Sequence, residues 1–166
     1  MGLTAADLHF ATNQRADAVA LIKRFHYSGR IPANVEFFGT LHVPGGLFGD
    51  MGAAVAAICF SHPPTRWSLP VLELSRLVRH DRHRVPLTRL VAISCRYIKR
   101  AGLGDLLVSF ADSGMGHHGG IYQAASWKYH GMRAAGCDGV VIDGVFIPGR
   151  TCNARWGTRS PERLRA

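Results

Sequence analysis

Apolar positions along the chain recur with two different periods, and the switches between them mark out the elements. From Asn13 to Phe25, the residues Ala16, Ala18, Val19, Leu21, Ile22 and Phe25 fall close to helical spacing. Asn13 is the expected N-cap, and Ser28-Gly29 closes the segment. Residues 35–43 alternate as a strand does, Pro44-Gly45-Gly46 turns the chain, and the apolar run 53–61 reads as a buried strand paired with the first in a hairpin. Pro63, Pro64 and Pro70 interrupt the chain before a third strand at 71–79. Simple alternation there puts Leu72, Leu74, Arg76 and Val78 on one face and Val71, Glu73, Ser75, Leu77 and Arg79 on the other.

Pro86 then suits the first turn of a helix whose apolar stripe is Leu87, Leu90, Val91, Ser94, Tyr97 and Ile98, ended by Gly102-Leu103-Gly104. A short apolar strand (105–111), a glycine-rich loop (112–120) and a helix (121–132) follow. A strand delivering its C-terminal end to a loop and helix is a common way to build a site. Residues 139–147, with the region around 151–157, are expected to add a last strand pair to the sheet. Helices and strands alternate while the first strands form hairpins, so the expected class is α/β with a central mixed, largely antiparallel sheet flanked by helices.

The chain has 166 residues, enough for one core, and no linker or repeat divides it; a single domain over 1–166 is expected. Twenty Lys and Arg against 11 Asp and Glu give a formal charge of +9, which favours a polyanionic partner or a phosphate-rich cofactor. The four cysteines stand singly, without the spacing of a zinc knuckle or a disulfide framework. No apolar stretch has the length of a signal peptide core or a membrane span, so no membrane partner and a cytoplasmic location are expected.

The chemistry concentrates in a few residues. Asp112 stands at the expected strand end and Tyr122 one turn into the following helix, with glycines between them. His26 and Tyr27 stand where the first helix ends. One imidazole, one carboxylate and two phenols could ligate a hard or borderline ion such as iron, or serve as acid and base without a metal. They could also be two core aromatics and a helix C-terminal histidine. Of the adjacent pair His117 and His118, at most one can face a site. Arg76, a cation on an apolar strand face, needs a partner or a ligand. Arg84 and Arg89 with Thr88 surround the start of the Pro86 helix, where a pyrophosphate could be held; a solvated basic loop is the competing reading. The C-terminal stretch carries Arg150, Arg155 and Arg159 around Trp156, a combination that suits phosphate contacts beside a stacking platform, or a solvated tail.

The strings FHYSG, LELSRLV, LVSFAD, GHHGGIYQAASWKYHG and RWGTRS together resemble the phage Mom-type DNA-modification proteins, which remodel the GCN5-related N-acetyltransferase fold. The resemblance implies that fold and a transferase that converts adenine in DNA to N6-carbamoylmethyladenine with a unit derived from acetyl-CoA, protecting phage DNA from restriction in the host cytoplasm. It implies His26, Tyr27, Asp112 and Tyr122 as metal or catalytic residues and Arg76 as needed for activity. Arg76, Arg84, Thr88 and Arg89 would serve the cofactor, and Arg150, Arg155, Trp156 and Arg159 would grip double-stranded DNA, with the target base flipped out. One departure stands out: the stretch before the Pro86 helix lacks the glycines of the usual acetyltransferase phosphate loop. The alternatives are a CoA-dependent N-acetyltransferase acting on a small amine or a protein, and a DNA-binding accessory protein without catalysis.

Overall fold

The computed structural model describes residues 7–46, 50–64, 67–132, 139–158 and 160–165. The chain divides into two compact units, 1–128 and 129–166. The first is built on a five-stranded sheet in the order β1 (His9–Thr12), β2 (Val35–Pro44), β3 (Met51–Ser61), β4 (Val71–Arg79) and β5 (Leu106–Val108). β1 to β4 pair antiparallel, and β5 joins β4 in parallel. Two helices cover the sheet. α1 (Arg15–Phe25) lays Ala18, Leu21 and Ile22 against Phe38, Ala57, Cys59 and Val78. α2 (Leu87–Ala101) brings Leu90, Val91 and Ile98 to a core with Phe37, Leu41, Ile58, Phe60, Leu72 and Leu74. The two clusters lie on opposite faces because alternate residues of a strand point opposite ways. Each fully buried aliphatic contributes about 1.5–3 kcal/mol of transfer free energy, so the two faces hold the sheet in register.

Several expected boundaries shift for identifiable reasons. Asn13 is not the N-cap of α1; it takes a left-handed φ of 65°, a conformation asparagine tolerates, and Gln14 caps instead. Pro86 sits one step before α2, at its N-cap. The expected strand 105–111 is paired only over Leu106–Val108.

The largest change is on β4. Cys59 pairs with Arg76, but the next residue of β3, Phe60, pairs with Leu74, so Ser75 is an extra residue and β4 bulges there. A bulge of one residue reverses the side-chain parity beyond it. Leu72 and Leu74 face α2, while past the bulge Leu77 takes that face and Arg76 joins Val78 on the α1 side. The expectation that Leu72, Leu74, Arg76 and Val78 share a face is corrected accordingly.

The helix expected over 121–132 is only one turn long, α3 (Gly120–Ala124). Ser126 turns left-handed at φ 64°, its N–H donates to Gln123 O, and the Trp127 N–H donates to Tyr122 O. These two bonds make a Schellman motif, and its usual apolar contact is the pairing of the Tyr122 and Trp127 rings, 5.7 Å apart. Serine in place of glycine at the left-handed position left no stop signal in the sequence.

In the second unit, β6 (Gly139–Ile142) and β7 (Val145–Pro148) form a hairpin of their own around Asp143-Gly144, with α4 (Gly149–Trp156) packed on it and α5 (Pro161–Arg165) after it. The expected strand pair is thus contained within 139–148; it forms a separate two-stranded sheet, and the region 151–157 lies in and at the end of a helix. Both turn residues have positive φ, as a two-residue hairpin requires. Among the described residues no helix is long and apolar enough to cross a membrane.

Candidate active site

The end of α1, the middle of β4 and the loop after β5 bring their polar side chains to one opening of the first unit. α1 stops at Phe25, and His26 caps it with its N–H on Ile22 O. The chain then turns through Gly29, whose N–H returns to His26 O at a φ of 55°. This turn leaves the Tyr27 side chain outward, 51% exposed, with its ring against His26 at 4.4 Å.

Opposite stands Asp112, whose two carboxylate oxygens have separate duties. Oδ1 accepts from the Gly114 N–H and so caps the 3-10 turn Ser113–Met115, while Asp112 O accepts from the N–H groups of Met115 and His117. Oδ2 faces Tyr27, whose hydroxyl donates to it across a long 3.5 Å. Long contacts of this kind commonly tighten when substrate binds. Tyr27 is coupled electrostatically to Tyr122 as well.

Arg76 reaches this opening because of the bulge. Its Nε donates to Arg30 O at 2.9 Å and its NH1 to Ser75 O at 2.6 Å, which ties the guanidinium to the turn that carries His26 and Tyr27. A cation expected to be stranded on an apolar face is therefore satisfied by carbonyls and acts on the site. Burial and then the positive charge of Arg76, with a smaller contribution from His117, lower His26 from its ordinary 6.5 to about 4. Burial and then Asp112 push the Tyr27 phenol up, so it keeps its proton.

All five residues expected at the centre, His26, Tyr27, Arg76, Asp112 and Tyr122, come together in this way. The others are distributed elsewhere. Arg84 is exposed before α2, and Thr88 is half-buried in its first turn. The Arg89 guanidinium donates to Leu8 O at 3.5 Å. These three lie by α2, while Arg76 faces α1, so the four do not form one cofactor cluster. Arg155 and Trp156 are exposed on α4, Arg150 contributes only its backbone to α4, and Arg159 lies outside the described residues.

Two contributors carried only a partial signal in the sequence. His117 packs edge-on against Tyr27, ring centroids 5.4 Å apart. Ser28 hydrogen-bonds His26 Nδ1. His117 was distinguished from His118 only by its place in the turn, and nothing marked Ser28 apart from its neighbour.

The donor set was tested against a metal. Among the described residues, no three His, Cys, Asp or Glu side chains gather as a metal cluster. Two phenolates would have to complete the ligand set, yet the environment of Tyr27 favours its protonated form, and the nitrogen of His26 that faces Ser28 is already occupied. The arrangement does not fit a resident metal on His26, Tyr27, Asp112 and Tyr122, and no step is routed through one.

Residues 7–166 match the Mom protein family. The chain belongs to that family. No curated protein matches the sequence. Among solved structures, this Mom-family chain is similar to a Trypanosoma brucei acetyltransferase at 12% identity and a TM-score of 0.52, over 78% of this chain and 98% of that one. It is similar to AAC(6')-Iy, solved in complex with the bisubstrate analogue CoA-S-monomethyl-acetylneamine, at 13% identity and a TM-score of 0.53, over 77% and 95%. The fold is therefore the α/β fold of the GCN5-related N-acetyltransferases, as the order of elements implied.

Proposed function

We propose that this chain is a DNA-modifying transferase that converts adenine to N6-carbamoylmethyladenine with a two-carbon unit from acetyl-CoA, protecting the DNA from restriction. The observation that carries the reading is the Tyr27–Asp112 contact, made between residues far apart in sequence, with Arg76 and His26 beside it in a family-wide match to Mom proteins. Bond formation at N6 replaces an N6–H, so one proton must leave the amine. Asp112 is the group to receive it, directly or through the Tyr27 hydroxyl, whose own proton is retained in the resting state.

Arg76, held by two carbonyls, supplies fixed positive charge against an anionic or polarised group of the donor. Tyr122, pinned by the Schellman contact with Trp127, closes the opposite side. The CoA-linked analogue in AAC(6')-Iy supports acetyl-CoA as the donor. Arg84 and Thr88 at the start of α2 are the groups offered to its phosphates, although Pro86 there has no N–H to give. The net charge of +9, with Arg155 and Trp156 exposed on α4, supports duplex DNA as the substrate, and Watson–Crick pairing of N6 requires the base to flip out.

The deciding test is mass spectrometry of nucleosides from the DNA of cells expressing the protein. A deoxyadenosine carrying the carbamoylmethyl increment, present with wild type and gone with Asp112→Ala, is the expected result. Unmodified DNA alongside soluble wild-type protein refutes the reading. An acetylated small amine with unmodified DNA would point to the ordinary acetyltransferase alternative.

A further inference from the structure

The turn after α1 determines which nitrogen of His26 carries the proton. The backbone N–H of Ser28 lies 3.2 Å from His26 Nδ1, with the hydrogen directed at it. A main-chain N–H can only donate, so Nδ1 is an acceptor. Ser28 Oγ lies 2.9 Å from the same nitrogen and, with that lone pair facing it, donates as well. A neutral imidazole that accepts at Nδ1 carries its hydrogen at Nε2. It then has no lone pair at Nε2 with which to bind a metal or take up a proton.

The surroundings hold the ring in this neutral form. Burial, the Arg76 charge and His117 all disfavour a second proton, and the Tyr27 ring packs along its side at 4.4 Å. A histidine that ligates a metal normally has the opposite arrangement, donating its far N–H to a carboxylate or carbonyl acceptor. Here the far nitrogen meets a donor that cannot become an acceptor.

We propose that His26 serves the transfer as a hydrogen-bond donor through Nε2–H, to the carbonyl oxygen of the two-carbon donor, and that Ser28 is the positioning residue that fixes this tautomer. The inference rests on the function proposed above. No bond to His26 forms or breaks; its N–H stabilises negative charge that develops on the carbonyl oxygen, as an oxyanion-hole donor does. Arg76, fixed nearby, adds to the same positive field.

The test uses the full chain with 15N-labelled histidine. Long-range 1H–15N correlation at neutral pH should give His26 the pattern of an Nε2-protonated ring, assigned by its loss in His26→Gln. One equivalent of Zn(II) should leave those signals in place. In the nucleoside assay, His26→Gln, whose side-chain amide can donate from near the Nε2 position, should keep activity within about tenfold of wild type, while His26→Ala should lose about 10²–10³, the usual cost of an oxyanion donor. Thermal melts of both variants exclude misfolding as the cause.

An Nδ1-protonated pattern, a Zn(II)-dependent shift of the His26 signals, or folded His26→Gln as inactive as His26→Ala would each overturn the proposal. The NMR measurement does not depend on catalysis. Unmodified DNA with wild type would therefore remove the proposed function, and with it the role given to His26 in transfer, while the spectrum separately decides whether the tautomer was read correctly.

Discussion

Asp112→Asn separates the two duties of one carboxylate. Asparagine keeps an oxygen at the Oδ1 position, so the cap on the Gly114 N–H survives, but it puts an NH2 where Oδ2 accepts from Tyr27. Asparagine and aspartate are nearly equivalent as N-caps, so folding stability should change by less than about 1 kcal/mol. Asp112→Ala removes the cap too and should cost about 1 kcal/mol more than the asparagine variant. Activity should behave differently. A positioned general base is worth about 10²–10⁴ in rate. At about 1.4 kcal/mol per tenfold, that range is about 3–5.5 kcal/mol of barrier, well above the stability effect.

The assay pairs a time course of modified deoxyadenosine with urea unfolding of the same preparations. Losing the carboxylate also removes one cause of the raised Tyr27 phenol, so its ultraviolet titration should move down in Asp112→Asn, while burial continues to hold it up. Near-wild-type turnover by folded Asp112→Asn would refute the proton-accepting role. Equal destabilisation by the asparagine and alanine variants would refute the division of labour between the two oxygens.

Further outcomes are expected elsewhere. The unfolded chain protonates His26 near 6.5 and the folded chain only near 4, so stability is full above 6.5, falls as the pH drops from there to about 4, and loses that slope in His26→Gln; urea midpoints across this range check it. Ser94 Oγ is fully buried without a partner, and a Cβ on Gly39 would approach it to 3.0 Å. Ser94→Ala should therefore stabilise the protein, by about 1 kcal/mol, and Gly39→Ala should cost about 1–3 kcal/mol, less in the Ser94→Ala background; denaturant titrations of the double-mutant cycle measure this. Arg155→Ala should weaken binding to duplex DNA regardless of sequence and reduce the slope of log K against log salt by about 0.9, read by fluorescence anisotropy.

The sequence by itself determined the strands of the sheet, the two long helices and the residue types at the centre. Those features rest on local causes. Period-2 and period-3.6 patterns record which face of each element is buried, and prolines and glycines record where the backbone must break. The pairing of His26 and Tyr27 with Asp112 and Tyr122 was also legible, because the motifs are specific in combination. Tertiary structure alone decided the rest. The bulge at Ser75 has no signature in composition, since it exists only in the register between β3 and β4, yet it turns Arg76 toward α1 and the site. The early end of α3 depends on a serine forced left-handed so that Trp127 can pack on Tyr122. The tautomer of His26 depends on which atom of a neighbouring turn points at one ring nitrogen. Each is a matter of partners and directions across space, and a linear pattern of apolar and polar residues does not carry that information.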